Sequence, residues 1–122
     1  MSMLKSLSRL LLSGIFISGG ADAFLKPGGR VKKVAAFDIP EAEQAVKLNG
    51  ATMVFAGTAL ALGIAPKAAA TVLIGCLIPT TIVGHPFWKE EDSGSRKNQQ
   101  VQFLKNLGLM GGLLLVLLEK NK

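Results

Sequence analysis

The 122-residue chain is 49% hydrophobic and 18% charged, with 14 Lys plus Arg against 8 Asp plus Glu and a mean hydropathy of +0.41. A soluble domain of this size carries roughly 25% charged residues, so the composition points to a single small membrane domain and excludes disordered and collagen-like classes. One cysteine and one histidine exclude an intrachain disulfide framework and a zinc or bis-histidine haem site built from this chain alone.

A spanning helix needs about 20 mostly apolar residues, because the hydrocarbon layer is about 30 Å thick and a helix rises about 1.5 Å per residue. The first candidate is Leu10–Ala21, a 12-residue run between Arg9 and Asp22. With Lys5 and Arg9 snorkelling outward it extends to a helix over 5–25. The same stretch, with its basic start and Ala21-Asp22-Ala23, also has the form of a secretory signal cleaved after Ala23. Next comes Lys26–Gln44, with Gly28-Gly29 as a break, the basic Arg30-Val31-Lys32-Lys33 and Pro40-Glu41 as a helix opening. That pattern predicts a short surface-lying helix.

The two clear spans are Leu48–Pro66, 19 residues without a charge, and Ala68–Trp88, 21 residues. They predict helices over 45–65 and 67–85 joined by a tight turn at Ala65, Pro66 and Lys67. Pro79 predicts a kink in the second of them, with Thr80 or Thr81 satisfying nearby backbone groups. A polar loop, His85 to Gln100, leads to a last helix over 97–119 in which Ser95 is the expected cap and Asn106–Leu118 supplies 13 uncharged residues. The expected fold class is therefore all-α, an integral membrane four-helix bundle forming a single transmembrane domain over 1–122. Small residues four apart, Gly14/Ser18, Gly57/Ala61, Thr71/Gly75 and Gly108/Gly112, give every helix a seam for close packing within the chain or between copies in a homo-oligomer.

Four crossings sort the polar residues by face. Lys5, Arg9, Lys67, Lys120 and Lys122 fall on one side and the other nine basic residues on the opposite side, which leans toward cytoplasmic first and third loops. Parity also brings Asp22, Asn49, His85, Lys105 and Asn106 toward one leaflet, with Trp88 at the interface. Charges in hydrocarbon face the bundle interior and pair, so Asp22 is expected to oppose Lys105, with His85 or Asn49 bridging. Helix capping and snorkelling explain the same residues without chemistry. The basic residues flank spans, so anionic lipid rather than nucleic acid is the partner that the +6 net charge implies.

The opening Arg9-Leu10-Leu11-Leu12-Ser13-Gly14-Ile15-Phe16-Ile17-Ser18-Gly19-Gly20, the later His85-Pro86-Phe87-Trp88 with its acidic patch, and Phe103-Leu104-Lys105-Asn106-Leu107 with Gly111-Gly112-Leu113-Leu114 resemble the DoxX family of small bacterial membrane proteins. The likeness runs from Leu7 to Leu117, generic in the first helix and specific in the third loop and last helix. It implies a four-helix bundle in the bacterial cytoplasmic membrane, a retained first helix, and association with quinone-linked oxidoreductase, terminal oxidase or oxidative-stress complexes. It implies no catalytic residue set, so His85, Pro86, Phe87, Trp88, Phe103, Lys105 and Asn106 are motif residues only.

Two functions follow. As an accessory subunit of a quinone-linked redox system, the chain would hydrogen-bond a quinone oxygen through Lys105 or His85 and flank the ring with Phe87, Trp88 and Phe103. Cys76 stands alone, so paired-thiol chemistry would need a redox-complex protein partner. As a non-enzymatic membrane scaffold or assembly factor, it would dock a peripheral protein through its first and third loops. A transporter is disfavoured by the absence of a broken-helix pair or inverted repeat in the sequence.

Overall fold

A computed structural model describes residues 3–119; Lys120 and Lys122, counted above on one face, lie outside the described residues. Among the described residues there are five α-helices, α1 (Met3–Leu25), α2 (Gly28–Ala35), α3 (Ala42–Leu62), α4 (Pro66–Gly84) and α5 (Ser93–Leu118), with a 3-10 turn at Phe87–Lys89 and no strand. Helices α1, α3, α4 and α5 are each long and apolar enough to cross a membrane. The chain is an all-α, multi-pass membrane protein.

Local chemistry explains the helix ends. Helix α3 stops at Gly63, whose φ of 73° is left-handed. The Ile64 N–H donates to Ala59 O at 2.8 Å and the Gly63 N–H to Leu60 O at 3.1 Å, so glycine terminates the helix by satisfying its last carbonyls. Pro66 then opens α4 at a position where its missing N–H has no intrahelical partner to lose. The expected cap of α5 is corrected. Asp92, not Ser95, is the capping residue, and its Oδ2 accepts from the Ser95 N–H at 2.9 Å. A carboxylate in that position also complements the positive end of the helix dipole. Helix α4 runs through Pro79 without interruption. The Thr80 and Thr81 hydroxyls donate to Cys76 O and Leu77 O at 2.8 and 2.7 Å, two carbonyls beside the one that Pro79 leaves without a donor.

The bundle is built on α1 against α3. An ideal Cβ placed on Gly20 would stand 2.6 Å from Gly50 O, and one on Gly50 would stand 2.6 Å from Gly20 O. Two backbones touch there with no side chain between them. Farther along, Gly57 of α3 accepts the Ile17 and Phe16 side chains. Helix α4 packs on α3, and α5 on α4, around a core of Phe16, Leu60, Ala70, Leu73 and Leu113, each at most 1% exposed. Outside, Leu11, Phe55, Leu62, Leu115 and Leu118 are exposed, as suits side chains that meet lipid tails.

The expected seams are thus only partly the packing surfaces. Gly14, Gly75 and Gly108 have nothing near the space a Cβ would fill, whereas Gly20 and Gly50, absent from those seams, make the closest approach. Spacing shows where a backbone could be approached, but not which face turns inward. Gly50→Ala is expected to destabilise the detergent-solubilised bundle by about 1–3 kcal/mol, because the new methyl forces α1 and α3 apart. Thermal unfolding followed by circular dichroism checks this; Gly14→Ala is the matched control, and equal effects of the two changes would sink the crossing as the determinant.

Candidate functional site

A cavity of about 650 Å3 lies inside the bundle at the end where α2 packs. It runs from an apolar depth, where Phe16 of α1, Met53 of α3, Leu77 of α4 and Leu109 of α5 meet, to a polar end formed by Asn49, Thr80, His85, Lys105 and Asn106. Residues Gly29, Arg30, Lys33 and Val34 place α2 over that end. The amphipathic lining has the form of a site for a small molecule with an apolar body and a polar head.

Each polar group is positioned by its helix. Asn49, about two turns into α3, donates from Nδ2 to Thr80 Oγ1 at 3.0 Å and to Met53 Sδ at 3.6 Å. The Thr80 hydroxyl donates in turn to Cys76 O, so Asn49 and Thr80 form a fixed chain that ties α3 to α4. His85 follows the last turn of α4, where Nδ1 lies 2.7 Å from Gln99 Oε1. With the carbonyl oxygen as acceptor, Nδ1 carries the proton and Nε2 is the ring's free lone pair. Lys33 reaches from α2 to the Gly84 carbonyl at 2.7 Å, a cation on the negative end of α4. Lys105 donates to Gln102 Oε1 at 2.8 Å on its own helix.

Asn106 differs from all of these. It is 3% exposed and lines the cavity, and among the described residues none hydrogen-bonds its carboxamide. Without a protein partner, its donors and acceptor stand ready for water or a molecule in the cavity.

Of the six candidate residues, the structure brings Asn49, His85, Lys105 and Asn106 to one cavity. It leaves Asp22 and Trp88 out of the lining. The expected opposition of Asp22 and Lys105 is corrected: Asp22 pairs with Arg30 at 3.0 Å, joining the end of α1 to α2. The short link at Lys26 and Pro27 ends α1 and lets α2 pack on α3 and α4, which brings Arg30, rather than Lys105 of α5, within reach of the carboxylate. The expected aromatic flanking is corrected as well. Phe87, Trp88 and Phe103 pack edge to face on one another, with centroids 5.3, 5.3 and 5.8 Å apart, and none lines the cavity. The triad holds the 3-10 turn against α5, while Lys89 Nζ sits 3.9 Å from the Phe37 ring centroid and links the same turn to the loop after α2.

Arg30, Lys33, Thr80 and Gln99 are not among the candidate site residues read from the sequence, where the basic run marks a surface-lying helix and Thr80 serves the backbone near Pro79. Parity already places Arg30 and Lys33 on the face of His85 and Lys105, which is the signal that could have found them. Nothing in the sequence distinguishes Gln99 from its polar neighbours. At the other end of the bundle, Arg9 Nη2 pairs with Glu119 Oε1 at 2.7 Å, the two side chains 8% and 23% exposed.

Among known proteins, the DoxX family model matches residues 4–86, which is more than half of the chain and runs from α1 through α4 to Pro86. The likeness noted in the third loop beyond Pro86 and in the last helix lies outside that match. No curated protein and no solved structure matches the chain.

Because Trp88 is the chain's one tryptophan, its emission reports the aromatic triad. Phe103→Ala is expected to red-shift that emission and raise its quenching by acrylamide while leaving helix content unchanged. An unaltered spectrum would show that Phe103 does not hold the turn.

Proposed function

The chain belongs to the DoxX family, and from that premise we propose that it is an accessory subunit of a quinone-linked redox system in a cytoplasmic membrane, with the cavity as the site where a lipid-borne quinone is held. The observation that carries this reading is Asn106, buried and unpartnered at the polar end of a cavity whose depth is apolar. A quinone has two carbonyl oxygens on a flat apolar body, which suits an amide donor beside Phe16, Met53 and Leu77.

The residues divide the work. Asn106 Nδ2 would donate to a head oxygen, and Asn49, held by Thr80, keeps its own oxygen free for a hydroxyl. His85 Nε2, left as a lone pair by the bond to Gln99, can accept a proton from a reduced head. A bound quinone supplies the capacity to carry electrons through the lipid phase. The electron donor is assigned to a protein partner, because the single cysteine, Cys76, is buried within α4 and has no second thiol on the chain.

Extraction of the protein from its native membrane in mild detergent, followed by quantification of bound quinone by mass spectrometry, tests the reading. Wild type is expected to retain quinone, and Asn106→Leu to lower it by about tenfold, the effect of losing one hydrogen bond to a buried head, with circular dichroism unchanged. Co-purification of a protein partner with quinone in neither form would turn the assignment to a non-enzymatic scaffold.

A further inference from the structure

The ionisable side chains that line the cavity are of one sign. Arg30, Lys33, Lys105 and His85 border it and, among the described residues, no carboxylate does. Asp22 stands outside the lining and offsets Arg30, at 3.0 Å. The other two cations have neutral partners, Lys33 on the Gly84 carbonyl and Lys105 on the Gln102 amide. Two ammonium groups therefore stand at the polar end of an otherwise apolar space without a counter-charge from the lining. Both lysines are exposed, and at a headgroup level such groups are stabilised by an anion or by water. Their convergence from two different helices, α2 and α5, onto one cavity favours an anion in that cavity.

We propose that the cavity selects amphiphiles whose head carries an anionic oxygen, the carboxylate of a fatty acid or the ionised hydroxyl of an acidic quinone. This rests on the reading of the cavity as a site for a lipid-borne ligand and adds the charge class of that ligand. Both sources share one chemistry. The oxyanion accepts from Lys33 and Lys105, the Asn106 amide donates to the head from the buried side, and the apolar tail lies along Phe16, Met53 and Leu77. A neutral head of the same shape keeps the Asn106 bond and leaves both ammonium charges unbalanced.

Two matched pairs of probes separate charge from shape: oleate against oleamide, and an alkylated hydroxynaphthoquinone against its methyl ether. Each is equilibrated with the full-length protein in one detergent at mildly alkaline pH, and the retained ligand is quantified by mass spectrometry. In at least one pair, wild type is expected to retain the acid at about a tenfold lower concentration than its neutral counterpart, since each basic group beside an acidic head contributes several-fold. The Lys33→Gln, Lys105→Gln double variant is expected to bring that ratio to within about twofold. The Lys33→Arg, Lys105→Arg variant, which keeps both charges, is expected to preserve it and so controls for folding. Comparison within one detergent cancels partition into micelles. Preference in the oleate pair alone assigns a lipid acid, and in the naphthoquinone pair alone an acidic quinone. Equal retention of acid and neutral forms, or a preference that survives removal of both lysines, overturns the charge selection and leaves the lipid-borne ligand standing. Retention of none of the four overturns both.

Discussion

Helices in lipid gain little by burying apolar surface on one another, because the acyl chains are as apolar as the side chains they would replace. What holds α1 to α3 is close backbone approach, and the contact between Gly20 and Gly50 is where that approach is tightest. The rest of the bundle is arranged around it. With the two backbones touching there, Phe16 and Ile17 meet Gly57 two turns along α3, and Phe16 becomes part of the core that α4 and α5 complete. The same crossing sets Ala23 beside Gly50, and Ala23, Val46 and Asn49 all line the cavity, so its walls on the α1 and α3 side follow from a contact made by two glycines.

The bundle treats charge differently at its two ends. At the end that carries the chain termini, Arg9 and Glu119 meet at 2.7 Å, largely buried, and a pair drawn from α1 and the end of α5 draws those helices together. Loss of either partner would strand a buried charge. At the other end Asp22 and Arg30 pair near the surface, where an ion pair contributes little, and Lys33 and Lys105 have only neutral partners. A closed end and an open one leave the cavity facing a single membrane surface, under α2.

That roof is fixed by few and mostly exposed contacts. The ion pair from Asp22 to Arg30, the bond from Lys33 to Gly84 O and the Lys89–Phe37 contact hold α2 and its following loop to the bundle. None of its residues is buried. The aromatic triad of Phe87, Trp88 and Phe103 anchors the neighbouring turn instead of entering the cavity, so the polar end is framed by a firm wall on the α5 side and a lightly held helix above.

The all-α class, the four spans and the family were legible in the sequence, because a bilayer dictates the length of an apolar run and confines charges to its ends. Parity alone also gathered Asn49, His85, Lys105 and Asn106 at one level, since residues near corresponding span ends must share a leaflet. Partnerships were not legible. Asp22 sits within reach of Arg30 because the chain turns back at Lys26 and Pro27, and no spacing rule separates that outcome from a pair with Lys105. The Gly20–Gly50 crossing was missed for a related reason: which face of a helix turns inward depends on its neighbours, and mid-span apolar faces look alike when lipid and protein are equally apolar. Sequence by itself determined the end of the bundle that Asn49, His85, Lys105 and Asn106 approach. Only the tertiary structure decided the rotation of each helix about its axis, and with it which side chains at a given depth meet a partner, lipid or the cavity.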